Sequence, residues 1–416
     1  MLLAGGLLAA VGTGPAHADS VRDSQWPLAA YRADSAVWPV SRGEGVTVAV
    51  IDSGVLKDHQ DLTGQVLAGT DLTGQNTDGT VDTSGHGTGM ASLIAGHGHG
   101  AGAGIMGLAP EARILPIRVT LDADSLSDHS EIARAIRYAV DHGAKVVNMS
   151  IGGPSGVNPD ERAAVKYALD KDVVLVASTG NDGDKGGAVE YPAAFPGVVA
   201  VGAVDRNGLL WNRSSSGPET TLVAPGADVP RAGAKSTSAH GVANGTSDAT
   251  AYVSATAALI RAKYPDLSAG QVITRMIKSA TPPADGSAVP NNRYGYGVLS
   301  PAKALEANPA VDGGPRENPL AGRAEAQAAP SVPPAEEEWD SPPPVTVPAN
   351  QENRGVTWVL RGAAALAGVV LVGVVVGVLL VVRGRRRRER AAAAAAAAAG
   401  YPGYPPPPQQ WPPHQG

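Results

Sequence analysis

Four side chains stand where their neighbours leave them accessible and chemically useful. Asp52 closes the β-branched run VTVAVI (residues 46–51) and is followed by Ser53 and Gly54, which sets a carboxylate at the carboxyl end of a buried strand. His86 lies between two glycines in SGHGTGMAS, at the start of an apolar helix. Imidazole is a poor choice for starting a helix, and the flanking glycines leave a ring face open to a neighbour. Ser247 follows Gly245 and Thr246 at the head of a run of small and apolar residues, so its hydroxyl is accessible and its backbone N–H points out of a helix N-terminus. A serine hydroxyl alone is a weak nucleophile; it needs a base to take its proton, and the base needs a carboxylate to hold its tautomer. Asn181, in the strand end DVVLVASTGNDG, reads either as a turn former or as a side-chain N–H donor. In the second reading it joins the Ser247 amide in an oxyanion hole, each donor worth roughly 3 kcal/mol in the transition state. Singly, each residue has a plainer reading as a cap or turn. Together they are the parts of an acyl-transfer site.

Such parts must be held by a rigid frame. The runs VTVAVI, ARILPIRV (112–119), KVVNMSI (145–151), DVVLVAS (172–178) and GVVAVGAV (197–204) predict strands that are apolar on both faces. Between them, DHSEIARAIRYAVDHG puts Ile132, Ile136, Ala139 and Val140 on one helical face and stops at Gly143. PDERAAVKYALDK opens a helix at Pro159, and SAGQVITRMIKSA carries a Ser268 and Gln271 capping box. Strands buried on both sides and alternating with helices predict an α/β fold: a parallel sheet covered by helices on both faces, with sites at the carboxyl ends of the strands.

The segments IDSGV, SGHGTGMAS, VVNMSIGG, ASTGNDG, YPAAFPGVVAVGAVD, VAPGADV and NGTSDATAYVSA, in this order over about residues 25–305, resemble the subtilisin-like serine proteases. The resemblance implies a subtilisin-like fold, with Asp52, His86 and Ser247 as a catalytic triad and Asn181 as oxyanion donor. It implies that Ser150, Ile151 and Gly152 pair with the substrate backbone as an added strand, and that Ser178, Thr179 and Gly180 contribute to the substrate cleft. Glu190 falls near the floor of the pocket for the residue before the scissile bond, where a carboxylate would favour Lys or Arg. No cofactor is required, while calcium is left open: Asp61 in DHQDL sits where some members bind it, without a readable ligand set. One departure is Asp248, directly after the serine, which puts an anion beside the forming oxyanion.

The remaining segments suggest where such a domain works. Residues 1–18 are apolar and uncharged, ending in Ala16-His17-Ala18, and read as a signal peptide cut before Asp19, with the natural start expected upstream because no basic segment precedes it. Residues 19–44 read as an extension wrapping the domain at 45–308, and 309–355, with ten prolines, as a linker. Residues 356–382 include 21 uncharged positions, about 31 Å as a helix, enough for one transmembrane helix. RGRRRRER follows, which places the tail, 383–416, in the cytoplasm and the domain outside the cell membrane. This plan resembles the mycosins, membrane-anchored proteases of type VII secretion, and implies that secretion complex as a partner.

The part before residue 360 carries about 12 net negative charges, which argues against nucleic acid. With no cysteine, disulfides and thiolate chemistry are excluded. GHGHGAGAG (96–104) offers His97 and His99, but a loop so rich in glycine argues against a metal site. The reading favours a membrane-anchored serine endopeptidase processing exported proteins. Its rivals are a structural subunit that stabilises the secretion complex with little proteolysis, and a general surface protease.

Overall fold

The computed structural model describes residues 20–100, 102–121, 129–153 and 158–323. The signal-peptide, transmembrane and tail segments expected from the sequence lie outside these residues, as does most of the Pro-rich stretch. Among the described residues no helix is long and apolar enough to cross a membrane.

The strands are β1 (Thr47–Asp52), β2 (Thr70–Asp71), β3 (His97–His99), β4 (Ala103–Met106), β5 (Arg113–Arg118), β6 (Val146–Met149), β7 (Val174–Ser178), β8 (Val199–Val204), β9 (Thr220–Pro225), β10 (Val229–Ala232) and β11 (His240–Ala243). The helices are α1 (Ser20–Asp23), α2 (Trp26–Ala30), α3 (His86–Ala95), α4 (His129–Asp141), α5 (Pro159–Asp170), α6 (Thr246–Lys263), α7 (Ala269–Ser279), α8 (Pro301–Leu305) and α9 (Pro309–Asp312).

Seven strands form one parallel sheet in the order β2-β5-β1-β6-β7-β8-β9. Each inner strand divides its residues between two cores by the period-2 alternation of its side chains. Val48, Val50, Val146, Val174 and Val176 join Met90 and Leu93 of α3 and the apolar residues of α6 on one face. Ala49, Ile51, Val147, Met149 and Leu175 meet Ile132 and Ile136 of α4 and Val165 of α5 on the other. Burying one such Val or Ile contributes about 1.5–3 kcal/mol, which explains why both faces read as apolar. Helix α6 is buried from Thr246 to Arg261, so it carries no polar stripe and is built of small residues that the sheet and its helices can surround.

Local signals set the helix ends. Asn158 caps α5 by accepting from the Asp160 and Glu161 amides, and the Ser268 and Gln271 capping box forms at α7. Gly143, with φ 79°, ends the turn after α4 in the left-handed region that glycine tolerates.

Residues 20–44 lie on the domain through specific bonds. Gln25 exchanges two hydrogen bonds with the Met106 backbone, Trp38 donates to the Leu108 carbonyl at 2.9 Å, and Ser41 donates to the Leu259 carbonyl at 2.8 Å. At the other end the ordered domain runs past the boundary expected at 308. Asn308 caps α9, Asp312 pairs with Arg275, Asn318 donates to the Gly197 carbonyl, and Leu320 is buried. Proline content alone hides these contacts. Strand β9 and the hairpins β3-β4 and β10-β11 also go beyond the strands expected from sequence, because Gly or Pro borders each and obscures its pattern.

Candidate active site

Asp52 ends β1 with its side chain wholly buried, and both of its oxygens receive the His86 Nδ1 atom, at 2.8 and 3.0 Å. The Ser53 amide also donates to Asp52 Oδ1, at 2.8 Å. This bond pattern makes Nδ1 the protonated nitrogen and leaves Nε2 as the basic one. Burial works against the imidazolium, but the charge and hydrogen bond of Asp52 outweigh it and hold His86 above its ordinary value of 6.5.

The glycines around His86 permit this approach. Gly85, φ 85°, turns the chain into α3, and a Cβ on Gly87 would collide with the Gly54 carbonyl oxygen. Asp82 does not stand out in the sequence, yet it organises the turn. Its Oδ1 accepts from Ser53 Oγ and the Ser84 and Gly85 amides, and its Oδ2 accepts from the Thr88 amide and hydroxyl. The available signal is an aspartate four residues before a helix-starting histidine.

Ser247 occupies the first turn of α6, where the backbone amides lack intrahelical acceptors. Its hydroxyl donates to the Ser150 carbonyl at 3.0 Å, and Ser150 Oγ in turn donates to the Ser247 carbonyl at 2.9 Å. Beneath them Asn148, a second residue that sequence reasoning missed, donates to Ser150 Oγ and accepts from Ser254. The start of α6 is thus bolted to the end of β6. Asn181 Oδ1 accepts from the Thr246 amide at 3.0 Å and the Thr246 hydroxyl at 3.1 Å, which leaves its N–H₂ as the end available to the cleft.

A cleft of about 280 Å³ is lined by His86, Asn181 and Ser247, by Ser150, Ile151 and Gly152, and by Ser178, Gly180 and Glu190. Thr179, expected in this group, is wholly buried and does not line it, because the alternation of strand β7 turns it inward. Glu190 is wedged between two strand ends: a Cβ on Gly152 or Gly180 would collide with its carboxylate. Burial, with the charge of Asp182 adding, pushes Glu190 above the ordinary carboxylate value.

Asp248 does not face the cleft as an unpaired anion. It is buried with Arg231 of β10, whose Nη1 donates to Oδ1 at 3.0 Å. His97 and His99 belong to a β-hairpin and not to a loose loop. His97 turns to the Thr63 carbonyl, while His99 reaches Asp61. Asp61 is wholly buried, and its carboxylate is held by histidine nitrogens and the Ile105 amide. Calcium takes six to eight oxygen ligands, which these residues do not supply.

The model of the Subtilase family (Peptidase_S8) matches residues 43–297. The chain belongs to the subtilase family. This subtilase is 37% identical over 268 residues to Subtilisin DY of Bacillus licheniformis, a match covering 62% of this chain and 90% of the relative. Among solved structures, the MycP3 protease from the type VII (ESX-3) secretion system is 33% identical with a TM-score of 0.61, over 72% of this chain and 90% of that one. MycP1 with its N-terminal propeptide removed is 31% identical with a TM-score of 0.60, over 70% of this chain and 99% of that one. The subtilase is therefore a serine endopeptidase, similar to both subtilisins and mycosins.

Proposed function

We propose that this subtilase is a membrane-anchored endopeptidase that works outside the cytoplasm on proteins exported by a type VII secretion system, with Asp52, His86 and Ser247 as its triad. The observation that carries the catalytic part is the grip of both Asp52 oxygens on His86 Nδ1, in a cleft that also receives Ser247 and Asn181. In the reaction Ser247 Oγ leaves the Ser150 carbonyl, attacks the scissile carbonyl carbon and gives its proton to His86 Nε2. The carbonyl oxygen takes up the negative charge and is held by the Asn181 side chain and the Ser247 amide. His86 passes its proton to the departing amine, and water then releases the acyl group by the same steps in reverse. Ser150, Ile151 and Gly152 line the cleft, which supports their pairing with an extended substrate. Glu190 lines it without a cationic partner among the described residues, which supports a preference for Lys or Arg before the scissile bond. The apolar segment at 356–382 with its arginine stop supports anchoring, and the likeness to mycosins supports the secretion setting.

The second reading, a structural subunit of the secretion complex, draws on the Ser247 hydroxyl being engaged by Ser150. Labelling of the purified full-length protein with a fluorophosphonate separates the two. Reaction of the native chain, lost in Ser247→Ala, is the expected result. A folded native chain that neither labels nor cleaves a peptide library would leave the structural reading standing.

A further inference from the structure

Away from the cleft, three imidazole rings and one carboxylate meet under the β10-β11 hairpin. His59 and Asp61 come from the segment after β1, His99 from β3 and His240 from the start of β11. The side chains of His59 and Asp61 are wholly buried, and that of His240 is 14% exposed. His240 Nε2 lies 2.6 Å from Asp61 Oδ2 and His99 Nδ1 lies 2.6 Å from Oδ1. His59 Nε2 donates to the Ala239 carbonyl at 2.9 Å, which fixes its tautomer; the unprotonated Nδ1 accepts from the Asp61 amide at 3.2 Å and lies 3.9 Å from Asp61 Oδ2, so an ion bound there would replace that amide bond.

We infer that His59 Nδ1, Asp61 Oδ2 and His240 Nε2 form a binding site for one divalent transition-metal ion of the zinc class. The three donor atoms already lie within 4.8 Å of one another. A tetrahedral zinc ion with bonds of about 2.0–2.1 Å sets neighbouring donors about 3.3 Å apart, so closure needs shifts on the order of 1 Å. Imidazole nitrogen with one carboxylate is a donor set for zinc-like ions and not for calcium.

The surroundings have the form expected around metal ligands. The Ala239 carbonyl accepts the outer N–H of His59, while His99 and the Ile105 amide orient the carboxylate, the latter at 2.8 Å. Gly104, in the left-handed region at φ +73°, is required for the assembly: a Cβ there would collide with Asp61 Oδ1 and His99 Nδ1.

The ion would act as a staple. None of its three ligands lines the catalytic cleft, but β11 leads through Asn244 and Gly245 directly into α6, and Arg231 of the same hairpin holds Asp248 beside Ser247. Tying the hairpin to the 59–61 segment fixes the entry to the helix that carries the serine.

The test uses purified full-length protein, stripped with chelator and then titrated with Zn²⁺, Co²⁺ or Ca²⁺. Zn²⁺ is expected to bind one per chain, to raise the melting temperature, and to be replaced by Co²⁺ with the visible absorption of a nitrogen- and oxygen-ligated ion. His86→Ala should keep this site, which separates it from metal held by the catalytic histidine, and His99→Ala should weaken zinc by roughly 10–100-fold. His240→Asn, at the least buried ligand, should abolish stoichiometric binding, with His59→Gln as a second variant if the first fails to fold. A folded His86→Ala protein that binds no equivalent of zinc, binding unchanged by His240→Asn or His59→Gln, or stabilisation by Ca²⁺ alone would each overturn the inference. These readouts stand whether or not the protein cleaves peptides.

Discussion

Asp52 and Asp61 are nine positions apart, both wholly buried, and both bonded to imidazole, yet their surroundings suit different chemistry. Asp52 meets one histidine through Nδ1, and that histidine lines a cleft with Ser247. Asp61 meets several rings that converge on its two oxygens, and neither it nor those rings line that cleft. A carboxylate and one imidazole with an open side make a general base; a carboxylate enclosed by imidazoles makes a ligand set. Residue type is shared, and what differs is how many rings converge and what the remaining nitrogen faces.

The largest expected effect sharpens the Asp52 side. Ser247→Ala or His86→Ala should lower kcat/KM for peptide hydrolysis by about 10⁴-fold or more, the scale on which subtilisins themselves respond to loss of a triad residue. Steady-state rates within tenfold of the native protein would remove the triad assignment. Next, Asn181→Leu deletes one oxyanion donor, with kcat expected to fall about 10²–10³-fold, again the subtilisin scale, while KM changes little. A fall confined to KM would show that Asn181 binds substrate without stabilising the transition state.

Glu190→Gln is expected to reduce the preference for Lys or Arg before the scissile bond by about 10-fold or more, as read from cleavage of a mixed peptide library, and unchanged preference would remove Glu190 from specificity. The smallest effect is on pH. His86 is a base only when neutral, and its folded-state value is raised, so the acid limb of kcat/KM should have its midpoint above 6.5. Asp52→Asn removes the main influence that raises it, so residual activity should show a midpoint moved to lower pH. An unmoved midpoint would assign that limb to another group.

Legibility followed locality. Each residue of the proposed triad carries its signal within a few positions: a strand end before Asp52, glycines on both sides of His86, small residues around Ser247. The alternating apolar strands make the parallel sheet and its two helix layers readable as well. The wider boundary, by contrast, depends on Arg275 donating to Asp312 and on the Gly197 carbonyl accepting from Asn318, both from beyond residue 308, and proline content does not encode such partners. Thr179 departs from its expected place because motif position does not say to which side of a strand end a residue turns.

The His59, Asp61 and His240 cluster is illegible in the sequence for the same reason. Asp61 hints at calcium and His99 at a metal, but separately, and nothing local marks His240. Their meeting depends on the β3-β4 hairpin, Gly104 and the β10-β11 hairpin packing at one point. The sequence by itself determined the type of fold, the serine-endopeptidase class and the family, because alternation, capping and glycine placement act over a few bonds. Only the tertiary structure decided which buried carboxylate is offered a single open imidazole and which is enclosed by several, because charges and lone pairs interact over ångströms in space, whatever their separation along the chain.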